Sequence, residues 1–170
     1  MRPIFSPLAL LILAVCLTSC VSPRFERAWK GAAAQSASVA GGAHEAAGAP
    51  WFGGQAARQS SLPTRWQGRW HSNRHNSGGR LRAVVQPLTD GQAEIFFEAG
   101  WHGFTTAYPV SLSARRKGKA YQLSGEHNLK SCVGGGVYNY TGSLQPDQFS
   151  ANYHSKYDTG TFLLTPVPSP

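Results

Sequence analysis

The sequence predicts an all-β fold: an antiparallel up-and-down barrel of about eight strands, preceded by a signal peptide, a short helix and a flexible tether. Three observations lead there. From Arg65 onward apolar and polar residues alternate with period two, and turn-forming residues interrupt that alternation at short intervals. No long helical period occurs anywhere in this half of the chain. Alternation of this kind marks strands with one buried face.

Residues 1–19 read as a secretory signal peptide. Met1 and Arg2 give a basic start, and the run from Leu8 to Leu17 supplies the apolar region. About ten apolar residues are too few to span roughly 30 Å of hydrocarbon, which excludes a membrane-spanning helix here. Leu17-Thr18-Ser19-Cys20 resembles the lipobox of bacterial lipoproteins. That resemblance implies cleavage before Cys20, a diacylglycerol on its thiol, and a further acyl chain, of the palmitate kind, on the new amine. Val21 in place of Asp implies the outer membrane. Each buried methylene contributes about 0.8 kcal/mol, so two or three chains would hold the protein permanently.

Residues 20–64 differ in character from the strand-forming segment beyond them. Phe25, Ala28, Trp29 and Ala32 share one helical face, which predicts a short helix docked on the domain. Gly31 to Pro63 is dominated by Ala, Gly, Ser and Gln without a sustained period, Trp51-Phe52 being the exception. This stretch is expected to be a flexible tether that holds the folded part away from the membrane.

The barrel domain is placed at 65–166, with strands near 66–72, 80–88, 93–101, 104–114, 119–128, 136–144, 148–155 and 159–165. Trp70 falls on the first. Leu81, Ala83 and Val85 alternate with Arg80, Arg82 and Val84 on the second; Ile95, Phe97, Ala99 and Trp101 alternate with Glu94, Phe96 and Glu98 on the third. Tyr108, Val110 and Leu112, then Tyr121 and Leu123, then Tyr138 and Tyr140, then Phe149, Ala151 and Tyr153 continue the pattern. Turns are expected at Asn76-Ser77-Gly78-Gly79, Asp90-Gly91, Lys117-Gly118, Gly134-Gly135-Gly136, Gln145-Pro146-Asp147 and Tyr157-Asp158-Thr159-Gly160. Connections this short favour a meander, and closing it removes the exposed edges. Gly125 and Gly142 sit at matched places in two similar pentapeptides and are candidates for bends.

Gly68-Arg69-Trp70 resembles the Gly-x-Trp of calycins, the lipocalin-like barrels. The resemblance implies a Trp70 packed across the barrel floor and a Gly68 that lets backbones approach. The longer set Gly68 to Ser72, Gly79 to Arg82, Gly135 to Gly142 and Phe149 to Phe162 resembles a family of small, uncharacterised bacterial β-barrel proteins over 66–164. It implies the fold and brings no catalytic residue.

The formal charge is +8, or +7 without Arg2. Such a surface attracts anionic lipid head groups or envelope polymers, while export removes nucleic acid as a partner. Arg115-Arg116-Lys117-Gly118-Lys119 reads as a charged hairpin tip. With Cys20 acylated, Cys132 has no disulfide partner and reads as a small buried hydrophobe. The histidines His44, His71, His75, His102, His127 and His154 lack metal-binding spacing on strands and turns, so neither metal nor cofactor is expected. Glu94 and Glu98 are expected to point outward, and Asp158 to bond its own turn. No Gly-x-Ser-x-Gly elbow or phosphate loop is present, and no enzyme is expected.

The remaining lead is aromatic. Trp70, Phe97, Tyr108, Tyr121, Tyr138, Tyr140 and Tyr153 are plain core, or they line an apolar pocket whose tyrosine hydroxyls orient a guest. Two functions compete. One is a lipid-anchored, non-enzymatic barrel that binds a small apolar or amphipathic molecule. The other is a solid-core module whose loops meet an anionic envelope polymer or protein.

Overall fold

Eight antiparallel strands close into a single barrel in sequence order. They are β1 (Arg65–Ser72), β2 (Ser77–Val85), β3 (Gln92–Trp101), β4 (Phe104–Lys117), β5 (Ala120–Leu129), β6 (Gly136–Leu144), β7 (Phe149–Ser155) and β8 (Thr159–Pro166), preceded by a helix, α1 (Pro23–Gly41). The computed structural model describes residues 22–41, 62–86, 88, 91–129 and 135–168, with side chains in the first stretch only to residue 34. The leader 1–19, Cys20, His44, Trp51-Phe52, Asp90, Cys132 and Gly134 lie outside the described residues.

The alternation places Trp66, Ala83, Phe97, Leu112, Leu123, Leu144, Phe149 and Leu164 in one buried core. Closure is made by β1 and β8, whose register pairs Trp66 with Pro166 and Ser72 with Gly160. Gly68 is required by that closure: a Cβ there would lie 2.0 Å from the Leu163 carbonyl oxygen. The expected close approach is therefore present. The floor tryptophan is a different residue from the one expected. Trp66 is 0% exposed, packs edge-on against Phe149 and donates its indole N–H to Pro63 O at 2.8 Å. Trp70 lies four residues further along β1, level with Phe162 and Gly79, and is half-buried.

One outer face of the barrel is covered. Helix α1 starts at Pro23, with Ser22 as its N-cap, an arrangement suited to proline's fixed φ and missing N–H. Phe25 and Ala32 are buried against Val84, with Ala28, Trp29, Phe96 and Ala107 around them. Burial of Phe25 alone is worth about 2–3 kcal/mol. The docked face is the one the spacing predicts. The helix runs on to Gly41, however, into the stretch expected to be tether, because its alanines need no amphipathic period to stay helical. The Ala/Gly-rich stretch also joins two elements that both sit on the barrel, so it does not stand between Cys20 and the domain.

Under α1 lies an ion-pair cluster. Glu98 points away from the barrel axis as expected, yet it is 1% exposed because the helix covers it. It accepts two hydrogen bonds from Arg82, Nε to Oε1 and Nη2 to Oε2, each 2.9 Å. Arg82 also pairs with Glu26 of the helix. Its guanidinium sits 5.0 Å from the ring centroids of both Phe25 and Trp29. Burial disfavours the Arg82 charge, but the hydrogen bonds to Glu26 and Glu98 outweigh it, and the net shift is upward.

Candidate functional site

Hairpin order divides the barrel interior into two ends. The β1–β2, β3–β4 and β7–β8 turns lie at one end, and the β4–β5 and β6–β7 turns at the other. The second end is apolar, filled by Trp66, Leu112, Leu123, Leu144, Phe149 and Leu164. The first end carries the tyrosines.

Four of the seven aromatic candidates interlock there with Phe162. Tyr138 stands 6.5 Å from Tyr140 and 6.0 Å from Tyr153 between ring centroids. Tyr153 and Tyr140 lie 5.1 and 6.2 Å from Phe162, and Phe97 lies 5.4 Å from it. Tyr108 joins from β4, 5.9 Å from Phe97. Trp70 borders the group and donates its indole N–H to Gly100 O at 3.1 Å. Tyr121 does not join it. That residue opens β5 beside the β4–β5 turn, opposite Arg116 and Leu144, at the apolar end.

The hydroxyls differ in how they are satisfied. Tyr153 donates to Asp158 Oδ2 at 2.8 Å. Asp158 Oδ1 accepts from Ser72 Oγ at 2.6 Å and from the Thr159 N–H at 2.8 Å. The expected bond from Asp158 to its own turn is thus present, and the carboxylate also ties the β7–β8 turn to β1. Tyr108, Tyr138 and Tyr140 have no hydroxyl partner among the described residues, where no buried side-chain polar atom is left unpaired. Their oxygens must therefore reach space open to water. Tyr108 is half-buried on β4.

Burial pushes the hydroxyls of Tyr108 and Tyr140 well above the usual phenol value, and neighbouring tyrosines push the same way. Tyr153 moves up through burial and then through its bond to Asp158. These groups are neutral, and each can donate or accept a hydrogen bond.

The wall beside Tyr108 is only partly laddered. The register between β4 and β5 runs from Ser113 with Ser124 to Lys117 with Ala120. Above that point Phe104–Leu112 pair only with β3, and Gly125–Leu129 only with β6. Pro109, which has no N–H to donate, lies on the unladdered part of β4. His127 is half-buried on β5 beside Tyr138. His102 occupies the exposed β3–β4 turn and His154 the outer face of β7, so these three histidines do not converge.

A concavity of about 930 Å³ lies outside the barrel across β4 to β8. Ser113, Gln122, Ser124, Thr141, Asn152 and Thr161 line it, with Arg115 at its margin. Nothing in the sequence signals it, since outward hydroxyls and amides are the ordinary dress of a solvated strand.

No family model and no curated protein matches the chain. Among solved structures, a redesigned β barrel is similar with a TM-score of 0.48 and 15% identity, covering 64% of this chain and 94% of that one.

Proposed function

We propose that this chain is a lipid-anchored protein of the bacterial cell envelope, held at the outer membrane through Cys20, that binds a small amphipathic molecule at the tyrosine end of its barrel and catalyses no reaction. One observation carries this reading: the partnerless hydroxyls of Tyr108, Tyr138 and Tyr140 among the described residues, set against the apolar rings of Phe97 and Phe162. A guest would lay its apolar part on those rings and present polar atoms to the hydroxyls. Trp70 frames the site, while Tyr153 is already committed to Asp158 and acts as scaffold. Tyr121 belongs to the packed end and is left out of the binding set.

The experiment is native mass spectrometry of protein extracted from membranes, followed by displacement of 1-N-phenylnaphthylamine by palmitate and lysophospholipid. Tyr108→Phe/Tyr140→Phe is expected to weaken displacement roughly tenfold while leaving the fold intact. Equal binding by parent and variant, or no binding by either, defeats the proposal. The mass of the mature protein reports independently on acylation of Cys20.

The outer trough favours a second reading, in which an anionic envelope polymer lies across β4 to β8 with Arg115 pairing one of its charges. Salt-sensitive pull-down of such a polymer, lost in Arg115→Gln, would support that reading over the first.

A further inference from the structure

We propose that the tyrosine end of the barrel seats directly on a bilayer containing anionic lipid, with Trp101 and Phe104 entering the interface. The β3–β4 hairpin ends in Trp101-His102-Gly103-Phe104, whose two aromatic side chains are 51% and 61% exposed. His102 and Gly103 have φ of 45° and 84°, which close the tight turn between the two aromatic residues. Across the barrel mouth the β7–β8 turn carries Tyr157, 54% exposed. Aromatic side chains with one wet face are suited to the head-group level of a membrane.

The same rim is cationic. Arg74 donates from Nη1 to the carbonyls of Lys156 and Tyr157 at 2.9 and 3.0 Å, and the Lys156 ammonium lies 5.8 Å from the Tyr157 ring centroid. The carboxylate at this rim, Asp158, is taken up by Ser72, Tyr153 and its own turn. Within those turns the positive charges of Arg74 and Lys156 outnumber the one carboxylate, Asp158, so anionic head groups would meet net attraction.

Chain length agrees with this orientation. Phe25 packs against Phe96 with ring centroids 5.3 Å apart. Trp101 lies five residues further along β3, roughly 17 Å at a strand's rise. Cys20 precedes Phe25 by the same number of residues, but Pro23 to Phe25 are helical, so the span is at most about 14 Å. That brings Cys20 toward the level of the hairpin tip without requiring more chain than the sequence supplies. The opposite end carries Arg115, Arg116, Lys117 and Lys119 in the β4–β5 hairpin, without an exposed aromatic beside them among the described residues.

This inference rests on the envelope reading, but its test needs neither acylation nor the guest. Mature-length Cys20→Ser protein is mixed with vesicles of phosphatidylcholine containing a minor share of phosphatidylglycerol, and binding is followed by sedimentation. The protein is expected to bind, and Trp101→Ala/Phe104→Ala to reduce partitioning at least about tenfold. Arg115→Gln/Arg116→Gln should leave it within about twofold. Brominated lipid should quench fluorescence in the parent more than in Trp101→Phe. Absence of binding, loss through the arginine pair with the aromatic pair unaffected, or equal quenching in both proteins overturns the proposal. Guest binding by the Cys20→Ser protein in vesicle-free solution is measured separately, so the two ideas can fail independently.

Discussion

The two ends of the barrel interior are built from the same strands with the same alternation, yet they spend their aromatic residues differently. At the β4–β5 and β6–β7 end, Trp66 and Phe149 meet edge to face among leucines, and the indole N–H is satisfied by Pro63. At the other end, rings of similar size carry hydroxyls, and three of those hydroxyls have no partner among the described residues. The packed apolar end holds the fold together, which leaves the tyrosine end free to carry groups that packing does not demand. On the proposed reading, stability and recognition are separated along the barrel axis.

The largest expected effect breaks the packed end. Phe149→Ala should cost about 3–5 kcal/mol in urea unfolding, since the residue is fully buried and its neighbours cannot collapse into the hole. A cost below about 1 kcal/mol would mean that the apolar end is not where stability resides. Next comes the covered outer face. Glu98→Ala removes two charged hydrogen bonds from Arg82 and leaves it paired with Glu26 alone, which should cost about 1.5–3 kcal/mol, while Arg82→Leu/Glu98→Leu should cost less than that single change. Additive losses in the double variant would contradict the pairing.

Within the tyrosine end, two residues sharpen the contrast. Tyr153→Phe removes a hydrogen bond to a carboxylate and should cost about 1.5–3 kcal/mol. Tyr140→Phe removes a hydroxyl that bonds none of the described residues, so its stability should change by no more than about 0.5 kcal/mol. If both variants unfold at the same urea concentration, the division of labour between them is wrong. The smallest effect near neutral pH concerns titration. Tyr108, Tyr140 and Tyr153 ionise later in the folded protein than in the unfolded chain. Their contribution is thus fully present below about pH 10 and declines as pH rises further. Phenolate absorbance should show these groups ionising only as unfolding proceeds, and early ionisation in folded protein would contradict their burial.

Much of the wall is legible in the sequence because period two is a direct imprint of the pleat: residues 93–101 predict a third strand, and the structure has it at Gln92–Trp101. The docked face of α1 is equally plain in Phe25, Ala28, Trp29 and Ala32. Its start is encoded in Ser22-Pro23, a capping signal that the spacing of apolar residues does not carry. Alternation reports in or out but not which end, which is why Tyr121 groups with Tyr138 in the sequence despite lying beside the opposite turn. Position relative to the hairpins separates them. The Gly-x-Trp resemblance points to Trp70 as the floor when Trp66 occupies it, since both lie on the same face of β1. Burial of Glu98 is beyond reach of the sequence, because an outward residue is wet unless a distant segment covers it. Whether a hydroxyl finds a partner depends on three strands at once, so the distinction between Tyr140 and Tyr153 emerges only in the assembled barrel.

The lid formed by α1 has a practical corollary for anyone making this protein. Trimming the chain at Arg65, where the strands begin, would strip cover from Val84 and Phe96 and bring Glu98 back into contact with bulk water. The trimmed product should be sticky and short-lived, whereas an expression boundary at Ser22 keeps the cap and its arginine clasp. The minimal unit to express therefore begins some forty residues ahead of the first strand.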